Sequence, residues 1–441
     1  MEHGERRERH IRWTVVAAVA GRGVALAVSF FSIALLVPYL GAERYGFWVA
    51  LVSTVTLLVF ADLGLGYGLL NRAAAALART DGAIETRRLT STAFYLLVAV
   101  TLGGGMLTLL VVPWLPWAGW FHQAPPAVVN ECRQALLVLG LFFLAGLPFT
   151  TAQRTLNAAQ LGFWTQGVEA LGSLLALGGL LVVMARQGGL GALAAAYAAG
   201  PFLAQFTGWL LFFTGWRRDL RPRLADWDRA LAGRMLREGA VFLVLQIGGI
   251  VPVAIAALIV LHRCGPTELA HYSLVAKLFQ LGPQLAGMWF GALWPAYAEA
   301  LARGDAPWAH RRLHRTTAGC LLAGGAGGLA VALAAPGLVW WWTGAVITPA
   351  PALLLGLTVG TILGMAATSL STYLAASRCL TVQAWLVVAQ VALSTLAAWV
   401  LAGWWGAAGV AWGQVAALVL VVLPVYAVIV PRVLAKQRAA T

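Results

Sequence analysis

The chain has 441 residues, of which 61% are hydrophobic and 10% charged, against roughly 45–50% and 25% in soluble domains. That balance excludes a water-soluble globular fold. A formal net charge of +14 would point to nucleic acid in a soluble protein, but here the basic residues lie in the gaps between apolar stretches, where they set membrane topology.

About 20 mainly apolar residues are needed to cross the hydrocarbon core as a helix. Such stretches occur at 13–40, 47–70, 93–117, 135–156, 164–185, 190–214, 239–261, 272–296, 316–342, 351–377, 382–402 and 407–430, which makes twelve spans. Of the thirty Lys and Arg residues, 24 fall in every second gap, and only Arg44, Arg133, Arg186 and Arg263 fall in the gaps between. By the positive-inside rule both termini and the segment 215–238 are expected in the cytoplasm, with 118–134 and 343–350 outside. Trp114, Trp117 and Trp120, then Trp340 to Trp342, then Trp404 and Trp405, mark the opposite face, as an aromatic belt does. The first apolar run is longer than the usual 7–15 residues and holds Arg22, so a cleavable signal is not expected.

In chain order, the first span carries Arg22 about a third of the way in. The second carries Asp62 at a similar depth, so an intramembrane ion pair between them is one expectation, with Arg22 also meeting a phosphate as the other. Gly64, Gly66 and Gly68 follow Asp62, but no strand precedes them, so they read as close helix packing or a bend. Arg154 ends the fourth span and is expected to snorkel. Glu169, near the start of the fifth, reaches headgroups or carries a proton. The basic segment 215–238 divides six spans from six, giving an N-terminal lobe 1–214, a linker, and a C-terminal lobe 239–441.

The eighth span carries Lys277, with Ser273, Gln280 and Gln284 on the same helical face. A charge at mid-span costs about 2.5–3.5 kcal/mol on insertion scales and normally faces a cavity or a partner. A cavity lining is the expectation for Lys277, Gln280 and Gln284. The tenth span lines up Thr358, Thr361, Met365, Thr368 and Thr372, either as further lining or as interhelical glue.

Several chemistries are absent. Both lysines follow alanine, so there is no P-loop. His310 and His314 lack the glutamate of a zinc protease, and the four cysteines show no metal spacing. No cofactor or metal is expected. Outer segments of at most about 17 residues leave no room for an external catalytic domain.

Three matches recur across the divider: Gly41 with Gly265, LNAA at 156–159 with LAAS at 374–377, and GALAAAYAAG at 191–200 with GAAGVAWGQV at 406–415. They predict an internal duplication in which both halves enter from the same side. The fold expected is all-helical, with two pseudo-symmetric six-helix lobes around a central cavity.

With Arg22-Gly23, then VPYLGAERYGFW and DLGLGYGLLN, and AHYSLVAKLFQL followed by WPAYAEA in the second half, the chain resembles the O-antigen and polysaccharide flippases. These belong to the multidrug/oligosaccharidyl-lipid/polysaccharide exporter superfamily, and the resemblance runs over about residues 10–430. It implies a non-enzymatic flippase of the bacterial inner membrane that moves an undecaprenyl-pyrophosphate-linked oligosaccharide to the periplasmic leaflet. Its expected partners are that cargo, membrane lipids, and the glycan polymerase and glycosyltransferases handling the same glycan; nucleic acid is not among them. Arg22, Asp62, Lys277, Gln280, Gln284 and Thr361 would line the cavity, with Asp62 or Glu169 coupling to an ion. The alternatives are a drug/cation antiporter of the same superfamily and, from another class, a membrane polymerase or ligase acting on lipid-linked glycans.

Overall fold

A computed structural model describes residues 2–77, 79, 82–117, 125–344, 349–377 and 380–438. All regular structure among them is helical: α1 Glu2–Thr56, α2 Leu65–Leu77, α3 Gly82–Val111, α4 Pro126–Gly146, α5 Thr150–Ala158, α6 Gly162–Ala185, α7 Leu190–Leu211, α8 Arg229–Cys264, α9 Pro266–Ala302, α10 Ala306–Thr343, α11 Pro351–Ala376, α12 Leu380–Trp405, α13 Ala407–Ala417 and α14 Leu423–Arg438.

These helices supply the twelve spans. α1 holds the first and opens the second, because Gly41 breaks it at φ 73° and ψ 166°. The second continues through the 3-10 turn Leu57–Asp62 into α2. α4 and α5 together make the fourth span, and α13 and α14, joined by the π turn Leu418–Val422, make the twelfth. By length and hydropathy alone, ten segments among the described residues qualify as membrane-crossing. The first two spans run together in that measure, and α9 fails it because His271, Lys277, Gln280 and Gln284 interrupt its apolar run.

The duplication is visible in the backbone. Gly41 and Gly265 (φ 90°, ψ 173°) share a conformation that L side chains rarely adopt. Ala159 and Ser377 both stop a helix at φ −80° and ψ 7°, each N–H reaching carbonyls two and four residues back. Gly200 and Gly413 each mark a tight helix crossing, where an added Cβ would lie 2.4 Å from the backbone nitrogen of Ala176 and Ala398 respectively. Small residues at such crossings suit a membrane, where lipid is as apolar as Leu and association depends on close contact.

The helices form two compact units. One holds Met1–Tyr39 and Thr54–Leu243, the other Leu40–Ser53 and Val244–Thr441. In the first, α2 turns Leu65, Leu69, Ala73 and Ala76 onto one face, against Leu89, Ala93 and Leu97 of α3. In the second, Tyr297 and Tyr373 meet edge-to-face at 5.5 Å within the core, alongside Leu374, Leu418 and Tyr426. Trp114, Trp341 and Trp404 are exposed, as belt residues should be, whereas Trp117 is buried and donates to the Val112 carbonyl; Trp120 lies outside the described residues. No disulfide joins Cys132, Cys264 and Cys320.

The basic segment is fastened to the first unit. Arg87 bonds Asp226 at 2.8 Å and Arg88 bonds Asp228 at 2.8 Å. The Arg223 N–H donates to Ser91 Oγ at 3.0 Å, and the Asp228 N–H to Thr92 Oγ1 at 3.3 Å. Just beyond, Arg72 Nε donates to Glu238 at 2.9 Å. A partly exposed pair such as Arg87–Asp226 is worth about 1 kcal/mol, so Asp226→Asn should speed amide exchange at Arg223 about five-fold. Unchanged exchange there would show that the pair does not fasten the segment. Arg72 holds the Glu238 carboxyl below its ordinary range, and Arg217 does the same for Asp219, in both cases mainly by hydrogen bonding. Because these pKa values fall on folding, their contribution is complete above the ordinary values of 4.5 and 3.8. It is lost as pH drops through the still lower folded values. Docking is therefore expected to persist at neutral pH and to loosen in strong acid.

Candidate functional site

Lys277 owes its position to the register of α9. At 3.6 residues per turn, Leu274, Val275, Leu278 and Phe279 share the opposite side of the helix and are all buried in the second unit. That leaves Ser273, Lys277, Gln280 and Gln284 on the remaining face, the first three half-buried and Gln284 exposed. Ser273 spends its hydroxyl proton on the Ala270 carbonyl at 2.8 Å. Lys277 makes no ion pair and no hydrogen bond among the described residues. A desolvated ammonium with no partner among the described residues, beside two carboxamides, is equipped to hold an anion and the hydroxyl groups attached to it.

α11 packs against α9 and brings the threonine stripe into the same unit. Thr358, Thr361, Thr368 and Thr372 each donate to the carbonyl four residues back, at 2.8 Å. Their protons are thus engaged, and each oxygen can only accept. Thr358 also packs at Gly328 of α10, where an added Cβ would lie 3.0 Å from its methyl carbon. Thr361 is half-buried and keeps its lone pairs for a donor.

The first unit places Asp62 at a break in the second span. The residue is 9% exposed, and its Oδ2 accepts the Gly66 N–H at 3.2 Å. Among the described residues, Arg154 of α5, the arginine expected to snorkel, acts on it electrostatically. The Arg22 side chain, its expected partner, lies outside the described residues. Gly64 accounts for the bend: its φ is 71°, and it sits against the backbone of Gly239. Glu169 is exposed, its carbonyl accepting from Ser173. The juxtaposition of Asp62 and Arg154 has no local sequence signal, because the two residues lie on separate spans. His310 and His314 face one another at 2.7 Å on exposed turns of α10. No group of three or more metal-ligating side chains occurs among the described residues.

The fold has solved counterparts. A multidrug resistance MATE family transporter of the MOP superfamily, in its inward-facing conformation, superposes with a TM-score of 0.80 at 14% identity, over 96% of this chain and 100% of that one. An outward-facing conformation of such a transporter gives 0.67 at 13% identity, over 98% and 97%. A MOP superfamily transporter from Pyrococcus furiosus, whose binding pocket has reverse polarity suggesting a different function, gives 0.68 at 15% identity, over 98% and 96%. At such identities the likeness is one of fold. No curated protein matches the chain. The family model for polysaccharide biosynthesis proteins matches residues 11–301, well over half the chain and inclusive of both Asp62 and Lys277. The chain therefore belongs to the polysaccharide biosynthesis protein family of the multidrug/oligosaccharidyl-lipid/polysaccharide exporter superfamily, a family of multi-pass membrane transporters.

Proposed function

We propose that this transporter flips an undecaprenyl-pyrophosphate-linked oligosaccharide from the cytoplasmic to the periplasmic leaflet of the bacterial inner membrane by alternating access, with both termini in the cytoplasm. The observation that carries the reading is the unpaired Lys277 on a face of amides. A pyrophosphate bears about two negative charges, and one cation 5 Å away is worth roughly 3 kcal/mol at an effective dielectric near 20. That offsets part of the desolvation without trapping the cargo. Gln280 and Gln284 bring donors and acceptors for sugar hydroxyls, and Thr361 brings acceptors. A cationic drug would instead be repelled by Lys277, which weighs against antiport of that cargo class.

The test is reconstitution. Purified protein in liposomes should expose a fluorescent polyprenyl-pyrophosphate oligosaccharide to an external lectin, faster than empty liposomes and without changing its chain length. Extrusion of a cationic dye with no movement of the glycolipid would overturn the assignment. Lengthened glycan would favour a polymerase instead.

A further inference from the structure

Between α7 and α8 the chain runs through a π turn, Phe212–Trp216, and two 3-10 turns, Arg218–Leu220 and Leu224–Asp226. Its inward side is accounted for. Leu220 is fully buried in a cluster with Phe212 and Phe213, and Asp226 and Asp228 pair with Arg87 and Arg88 of α3. Its outward side is not. Leu224 is 69% exposed, and Trp216 and Trp227 are exposed as well. Apolar side chains open to the surroundings are ordinary on a membrane-crossing helix, but Leu224 and Trp227 lie outside every segment able to cross.

Aromatic contacts set the depth of this surface. Trp216 meets Trp164, in the first turn of α6, edge-to-face at 5.6 Å, and Trp164 is exposed too. Tryptophan collects where hydrocarbon gives way to headgroups, because its ring is apolar and its indole N–H is not. The start of α6 and the end of α7 therefore mark a headgroup level, and the exposed part of the segment follows directly from it.

Charge supplies the rest. Arg217 is answered by Asp219, and the two other acids of the segment are engaged by α3. Arg218, Arg221, Arg223 and Arg229 are exposed, and no ion pair engages them among the described residues. A nucleic acid or an acidic protein would satisfy these arginines but leave Leu224 in water. A bilayer face that is anionic outside and apolar just beneath takes both.

We infer that residues 216–229 form a shelf that binds anionic phospholipid of the cytoplasmic leaflet. Leu224 and Trp227 enter the headgroup layer, and Arg221, Arg223 and Arg229 pair with the phosphodiester groups. The bonds to α3 already hold the shelf in place, so lipid contact is made without ordering a loop at the moment of binding. The leaflet rests on the topology proposed above; the affinity for anionic lipid does not.

The test uses the full chain in nanodiscs of equal phosphatidylglycerol and phosphatidylcholine, each carrying its own isotope label. Both faces of the disc hold both lipids, so orientation does not enter. A photoreactive benzophenone side chain in place of Leu224 should cross-link to phosphatidylglycerol about ten-fold more than to phosphatidylcholine. The same group in place of Leu102, exposed on the α3 span, should take both lipids alike. Arg221→Gln should reduce the preference about five-fold, the effect of one basic residue near an anionic surface. Adding Arg223→Gln and Arg229→Gln should remove it, and high salt should weaken it. If the triple variant does not fold, Arg221→Gln alone carries the comparison.

A Leu224 position that labels neither lipid, or both equally, would overturn the proposal. So would a preference unchanged by Arg221→Gln. A preference erased by excess glycerol phosphate in solution would make this a site for soluble phosphate, and would overturn the lipid assignment. Glycolipid movement with no lipid preference at Leu224 would leave the proposed function standing and sink the shelf alone.

Discussion

Lys277→Ala should abolish glycan export while raising, not lowering, the thermal stability of the protein. The two effects have opposite signs for one physical reason. An unpaired ammonium at mid-span costs about 2.5–3.5 kcal/mol, a cost the folded protein sheds when the charge is removed. The same charge offers a pyrophosphate roughly 3 kcal/mol, and losing that corresponds to about a hundred-fold in affinity. Lys277→Arg should retain partial export, since charge survives although the planar fork is a poorer fit for a site shaped to a point charge. Surface glycan and melting temperature, measured at matched protein levels, decide the matter. Normal export in Lys277→Ala would remove this residue from the mechanism. A variant that lost stability and export together would make Lys277 a structural group.

Among the described glycines, Gly46→Ala should be one of the most damaging substitutions. A Cβ there would lie 1.8 Å from the Pro266 carbonyl oxygen and 2.4 Å from its carbon, so backbone must move to admit it. Overpacking of this kind costs about 1–3 kcal/mol, and here no flexible side chain can give way. Gly249→Ala in α8, where nothing lies within 4 Å, is the matched control and should be neutral or slightly stabilising. Melting in detergent separates them; equal behaviour would show that the crossing at Gly46 is loosely held.

The sequence made the large features legible because each leaves a repeating mark. Hydropathy gave the spans, and Gly41 and Gly265 announced a duplicated backbone turn. Lys277 stood out because a 3.6-residue period placed two amides beside it. Asp62 was equally visible, but its described partner was not: Arg154 lies 92 positions away, and no local spacing encodes a contact between separate spans. The extent of the units was hidden for a related reason. A run of charge such as 215–238 reports contact with water, not which body its ion pairs grip, and Arg87 and Arg88 decide that from a distant helix. Likewise nothing in 40–53 marks it as packing with the second unit.

That last membership has a consequence for how the protein is made. Gly46 leaves the ribosome 220 residues before Pro266, the residue whose backbone it must touch. At roughly 5–20 residues per second, the interval is about 10–45 s. Until then the glycine-bearing face of 40–53 lacks the Pro266 backbone against which Gly46 packs. Fast translation, or a membrane insertase that shelters that face, should raise the yield of correctly assembled protein more than any change within the second unit itself.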